Sequence, residues 1–371
     1  MIAASLPIHR HAETKLLVVD RTGTIRHGKR SEFVALLRPG DLVVANDAAT
    51  LPASLSGQHL FSGRSIEVRL AGHRSFSSDD ACRFSAVLFG EGDFRMRTED
   101  RPPPPAVASG DWLVLGPLRA RVEQVLDHPR LVSLYFSGSP DSIREGLARH
   151  GRPIQYSHVP TPLALWDVWT SIAGPPVAFE PPSAGFVLDW QTLASLRARG
   201  VQFATITHAA GISSTGDRVL DALLPFDEPY WIPESTVLAI RRTRECRRRV
   251  IAIGTTVVRA LEHAAGLDGV VRAGEGLATQ RISAASRLRV VDAILSGTHE
   301  PGRSHHDLLG AFTDSATLSR VNQELDAYGY RSHEFGDSVF FERNGDSNGT
   351  EMAILASRQH PLEIGTTRVM Q

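Results

Sequence analysis

Cysteine is nearly absent: Cys82 and Cys246 are the only two in 371 residues. Two thiols so far apart exclude a disulfide framework and carry no metal-ligand spacing. Each is expected as a small buried or half-buried side chain. Long hydrophobic runs are missing too. No stretch approaches the length of a bilayer span, and the opening "MIAASLPIHRHAE" breaks at Pro7 before an apolar signal segment can form. Together these point to a cytoplasmic protein without a membrane partner. Charge of one sign is also lacking, with 40 basic residues against 41 acidic ones and a net charge of −1. That balance excludes a general polyanion-coating protein and leaves room only for a local basic patch. There is no repeat of fixed period, and the one low-complexity piece, "RPPPP" at 101–105, reads as a stiff loop. No G-x-G-x-x-G leads into a helix, and neither G-x-x-x-x-G-K-[ST] nor G-x-S-x-G occurs. Dinucleotide oxidoreductase, P-loop and α/β-hydrolase readings therefore have no motif behind them.

What is present suits a globular chain of two or three domains, 42% hydrophobic and 22% charged. Near the start, "KLLVVD" reads as a strand, "TIRHGK" as a second, and a helix ends near Arg38. "LVVAND" then has the continuous apolar character of a buried strand. From Ser65 to about Phe136 the pattern changes to short, partly alternating segments: "SIEVRLAG", "CRFSAVLFG", "DFRMRT", "DWLVLG", "RARVEQVLD" and "RLVSLYF". Gly, Pro, Asp and Ser punctuate them, which is the signature of a small β-barrel or sandwich. Past "GSPDSIREGLARHG", where Ser139 or Asp141 is placed to cap a helix, helix and strand alternate. "DWQTLASLRARG", "PESTVLAIRRTRECRRR" and "VVRALEHAAG" read as helices; "VQFATITH" and "VIAIGTT" read as strands. The expected fold is α/β: a mainly parallel α/β domain, residues 1–64 and 137–371, with a small β-barrel domain inserted at 65–136. The tail from "NGDSNGTEM" onward reads as frayed, with one short element.

Open α/β sheets bind ligands at the carboxyl ends of their strands. That rule singles out Asn46 and Asp47, Thr207 and His208, and Gly254 to Thr256. In "AIGTTVVRALEHA" a glycine and two threonines stand where a strand meets a helix. Free N–H groups there hold carboxylates, phosphates or ribose hydroxyls, with simple helix capping by Thr255 or Thr256 as the plainer alternative. Arg259, one turn into that helix, is placed for a charge-assisted contact. "THEPGRSHHD" concentrates histidines, but the fourth residue after His299 is Arg303, and Pro301-Gly302 breaks the required helix. A polar loop lining a pocket, with no metal, is the reading. "RRTRECRRR" places six arginines in nine residues, among them Arg247, Arg248 and Arg249. It reads either as the solvated face of a helix or as a phosphate-contacting patch. Gly336-Asp337 before "SVFF" has ordinary turn chemistry.

Several of these segments resemble, in order, the S-adenosylmethionine:tRNA ribosyltransferase-isomerase family of queuosine biosynthesis. "LRPGDLVVANDAATLPASLSG" with "SGRSIEV" is similar to its L-x-P-G-D-L-L-V-x-N-D-T-R-V-I-P-A-R-L-x-G and G-x-x-E-V. "PPSAGF", "LRARGVQFATITHAAG", "RVIAIGTTVVRALEHAA", "VVDAILSGTHEPGRS" and "YGYRSHEFGDSVFF" match later motifs, so the likeness runs from about residue 10 to 343. Departures fall in pocket-facing motifs. Ala48-Ala49-Thr50 replaces T-R-V; the stretch from Ser183 to Leu188 drops a histidine; "YWIPES" retains only Glu234 of another motif. The resemblance implies an α/β domain with an inserted barrel. It also implies S-adenosylmethionine as co-substrate and tRNA as partner, the ribosyl group passing to the aminomethyl group of a 7-deazaguanine with loss of adenine and methionine. A sulfonium acidifies the neighbouring C5′ proton, so a positioned base suffices and no metal is needed.

His208, Glu234, His299 and Asp337 are the candidate bases; sequence does not separate them. Asn46, Asp47, Ser183, Gly185, Gly254, Thr255, Thr256 and Arg259 are the expected substrate-binding residues, and Arg247, Arg248 and Arg249 the expected tRNA contacts. The altered motifs keep two alternatives open: a relative that binds S-adenosylmethionine or a nucleoside without the tRNA reaction, or a transferase with another small acceptor.

Overall fold

The computed structural model describes residues 1–7 and 14–344; the tail segment singled out above lies outside them from residue 345 onward. A nine-stranded sheet runs in the order Gly274–Ala278, Glu228–Ile232, Gln202–His208, Leu42–Asn46, Val250–Ile253, Ala293–Gly297, Ser338–Glu342, Lys15–Val19, Ile25–Lys29. Its centre is parallel, from Gln202–His208 through Ala293–Gly297. Antiparallel strands flank that centre on both sides. The innermost strands, Leu42–Asn46, Val250–Ile253 and Ala293–Gly297, are mostly apolar because both faces are covered. Leu42, Val44, Val250 and Ala252 face one core, built on the helix Thr255–Ala264. Val43, Ala45, Ile251 and Ile253 face the other, with Phe33, Leu188 and Leu196. The period-two alternation of side chains divides each strand between the two cores.

Six antiparallel strands close the barrel in the order Leu118–Val125, Leu131–Phe136, Arg83–Phe89, Ser65–Gly72, Ser54–His59, Trp112–Leu115. The barrel therefore begins at Ser54, eleven residues before the expected Ser65. Glycine makes the closure possible: a Cβ at Gly57 would lie 2.0 Å from the Val114 carbonyl oxygen of the closing strand. The segment 93–98, expected as a strand, is irregular and leads into a short 3-10 turn, Thr98–Asp100. One barrel wall, including Val87 and Phe89, packs on Ile212, Leu220 and Leu224 of the α/β layer.

The arginine run is only partly helical. Its helix, Glu234–Glu245, ends before Arg247, which adopts φ 53°. Arg249 is buried against Asp41 and Glu342 and holds the amino ends of the strands together. Cys82 is half-buried, while Cys246 is exposed rather than covered.

Candidate active site

A cavity of about 470 Å³ opens where the parallel strands end. Ala210 and Gly211 follow one strand, Gly254 follows the next, and Ser296 and Gly297 finish a third; all line the cavity. Gly254 has φ +93°, a conformation that disfavours any side chain, and the helix Thr255–Ala264 starts directly after it. Unpaired N–H groups of the first turn and the hydroxyl side chains of Thr255 and Thr256 thus collect at one end of the cavity.

One wall is built on Glu228, the first residue of the strand Glu228–Ile232. Its carboxylate accepts from the Gly211 N–H at 2.6 Å, from His208 Nε2 at 2.8 Å, and from the Arg259 guanidinium. Burial by itself would raise this carboxyl, but Arg259 and His208 outweigh it and bring the pKa down to about 2. Arg259 also donates to the carbonyls of Ala278 and Phe226. Its positive charge is therefore fixed and already neutralised.

A second wall is built on Glu180. The short strand Pro176–Ala178 pairs with Ala49–Thr50, and Phe179 and Glu180 then bond through their N–H groups to the Ala210 carbonyl. Glu180 accepts from the Tyr156 hydroxyl at 2.5 Å. Burial, with the nearby Glu334 carboxylate, pushes its pKa up to about 7. Burial, then the Glu180 carboxylate itself, push Tyr156 well above its ordinary value, so that hydroxyl stays a donor. Arg69 of the barrel stands over the Tyr156 ring at 5.5 Å and so links this wall to the barrel.

Histidines form the rim. His299 stacks on His305, with ring centroids 4.8 Å apart. Burial, then the neighbouring imidazoles His305 and His333, hold His299 well below its usual range, so it is neutral near pH 7. His158, His333 and Glu334 bring three donor atoms within 4.8 Å. However, His158 Nε2 is already paired with Glu334 at 3.1 Å. The two rings stack at 4.4 Å with 25° between planes, so their in-plane lone pairs run side by side rather than converging. That arrangement suits a hydrogen-bonded pair with a stacked ring better than a metal centre.

The cavity gathers Ser183, Gly254, Thr255, Thr256, Arg259 and His299 of the residues expected from sequence. The others lie elsewhere, each for a definite reason. Asn46 is buried and clips two strand ends, donating to the His208 carbonyl at 2.9 Å and accepting from the His208 N–H at 2.9 Å. Asp47 accepts from the Thr207 hydroxyl at 2.7 Å. Gly185 lies against Thr170. His208 is fully buried behind Glu228 and acts on the cavity only through it. Glu234 is exposed in the first turn of its helix.

Asp337 is not among the cavity residues; its carboxylate accepts the Lys15 N–H at 2.7 Å and the Arg331 N–H at 2.8 Å and so fastens a turn. Arg247 and Arg248 line a separate groove with Arg21, Arg244 and Arg343 at the amino end of Val250–Ile253. That is one strand length, about 13 Å, from the cavity end. Arg249 in the same groove is buried and paired with Asp41 and Glu342. Glu180 was missed by the sequence reading. Its only local signal is a carboxylate at the end of an apolar segment, before Pro181-Pro182.

The sequence model of the queuosine biosynthesis protein family matches residues 1–341. The S-adenosylmethionine:tRNA ribosyltransferase-isomerase of Citrifermentans bemidjiense is 31% identical, covering 91% of this chain and 96% of that protein. Those of Thiobacillus denitrificans and Sorangium cellulosum are 31% and 32% identical, covering 92% and 91% of this chain and 94% of each relative. A solved structure of the S-adenosylmethionine tRNA ribosyltransferase from Thermotoga maritima aligns at a TM-score of 0.48 and 24% identity, over 91% of this chain and 96% of that one. Among the described residues, no helix is long and apolar enough to cross a membrane.

Proposed function

Because this chain belongs to the queuosine biosynthesis protein family, we propose that it is an S-adenosylmethionine:tRNA ribosyltransferase-isomerase. It moves the ribosyl part of S-adenosylmethionine onto the aminomethyl group of a 7-deazaguanine in tRNA. The observation that carries the reading is the cavity itself. It joins the N-terminus of the helix Thr255–Ala264 to two buried glutamates of different character at the carboxyl ends of the sheet. The helix N-terminus and the hydroxyls of Ser183, Thr255 and Thr256 suit the carboxylate of the methionyl part or the ribose hydroxyls. The neutral histidine rim and the glutamates supply groups able to move a proton without a metal. We further propose that the closed barrel works as a unit inserted in the α/β domain, with Arg69 as its link to the cavity wall.

The test is incubation with S-adenosylmethionine, with and without tRNA carrying the aminomethyl-deazaguanine, while adenine release is followed. Adenine released in step with modified tRNA supports the reading. Tight binding of S-adenosylmethionine with no adenine released supports instead a binding protein that has kept the pocket and lost the reaction.

A further inference from the structure

We propose that Glu180 is the proton acceptor of this site, taking the C5′ proton of bound S-adenosylmethionine; this rests on the reaction proposed above. In the step, the C5′–H bond breaks and an O–H bond forms on the Glu180 carboxylate. The electron pair stays on C5′, stabilised by the adjacent sulfonium, and nothing else is consumed or released.

Placement comes first. Glu180 lines the cavity and is 7% exposed. Its backbone is clamped by the Ala210 carbonyl on one side and by Pro181-Pro182 on the other. The Tyr156 hydroxyl fixes the orientation of the carboxyl, and Ser213 holds it from the cavity wall. A base positioned this rigidly loses little freedom on reaction.

Elimination of the other candidates comes next. Glu228 is an anion locked by Arg259, His208 and Gly211, and so firmly stabilised that it exerts little pull on a proton. Glu334 is paired with His158, and Asp221 with Thr215 and Arg303. His299 is held neutral by burial and by other imidazoles, which makes it a weak base. His305 is held low in the same way, burial being the main cause. General-base efficiency is greatest for a group whose pKa lies near the working pH. Glu180 meets that condition: burial and Glu334 raise it to about 7, and Tyr156 faces it as a neutral donor. Of the three glutamates that line the cavity, Glu180 is the one raised toward neutrality, whereas Glu228 and Glu334 are held low by their partners.

The experiment uses the full chain, S-adenosylmethionine deuterated at C5′, and substrate tRNA. Adenine release and deuterium washed out to solvent are measured in the parent, Glu180→Gln and Glu180→Asp, with S-adenosylmethionine affinity measured in parallel. Glu180→Gln should slow both readouts by about 10²- to 10⁴-fold while affinity stays within about threefold. Glu180→Asp should recover part of the rate. In the parent the rate should rise with pH through a midpoint near 7, and that limb should vanish from the residual Gln activity. A Gln variant that releases adenine and loses deuterium at the parental rate, or with the same acid limb, overturns the assignment while leaving the reaction intact. A parent that releases no adenine overturns the reaction itself, and the proton acceptor with it.

Discussion

Glu228 and Glu180 line one cavity, at 6% and 7% exposure, yet burial has opposite outcomes for them. At Glu228 a guanidinium, an imidazole and a backbone N–H converge, and the desolvation penalty is overcome. At Glu180 the closest ionisable partner is a tyrosine held neutral, and the nearby charge is another carboxylate. What separates them is the sign of the neighbours at nearly equal depth. Pairs of acids driven apart in this way allow one site to hold a fixed anion and a titratable base at the same pH.

The largest expected effect comes from taking away the partner that makes Glu228 an anion. Arg259→Met leaves a buried carboxylate with only His208 and one N–H, and should cost about 3–5 kcal/mol of stability in urea unfolding. A loss below about 1 kcal/mol would break the comparison on the Glu228 side.

The two glutamates should also give stability opposite slopes against pH. Glu180 keeps its proton in the folded state up to about 7, whereas the ordinary value is 4.5. Its contribution is therefore full below about 4.5 and is lost as pH rises to 7, a change of roughly 3 kcal/mol. Glu228 is the reverse: its contribution is present above 4.5 and is lost as pH falls toward 2. Unfolding at pH 5 and pH 7.5 should show the Glu180 slope in the parent and its absence in Glu180→Gln. Identical slopes in both would count against the raised carboxyl.

Asp337→Asn sharpens the contrast between cavity and scaffold. Its two backbone bonds predict a stability loss of about 1–3 kcal/mol, with turnover per folded molecule little changed. A large fall in turnover without loss of stability would return Asp337 to the site. The smallest effect is expected at the other end of the sheet. Replacing Arg247 and Arg248 by Gln removes at most two phosphate contacts, and a logarithmic salt slope of tRNA binding changes by about one per contact. The distance from the cavity leads us to expect a change below about one; a change near two would make that groove part of the tRNA path.

The fold was largely legible in the sequence, the site only in part. Continuous apolar strands, and short strands punctuated by glycine, follow from local chemistry, so the sheet and the barrel could be read in advance. "SLSGQH" hid as a barrel strand because Gly57 interrupts its alternation, and only the approach of Val114 shows why a glycine stands there. Local chemistry reads Gly336-Asp337 as a turn, and only the resemblance of "YGYRSHEFGDSVFF" to a family motif placed Asp337 in the pocket. Its partner Lys15 is 322 positions away. Glu180 was hidden for the same reason: Tyr156, Ser213 and Glu334, which decide its protonation, come from distant segments that no window of sequence joins. Gly254 to Thr256 were legible because strand end, positive-φ glycine and helix start are consecutive.

The central claim is that the cavity holds two buried glutamates displaced in opposite directions from the ordinary carboxyl range, and carbon-13 NMR titration of the glutamate side-chain carboxyls tests it most directly. The account predicts one carboxyl resonance titrating near pH 7 that disappears in Glu180→Gln, and one that stays ionised at pH 4 and disappears in Glu228→Gln. Both resonances titrating together in the ordinary range near 4.5 would contradict it.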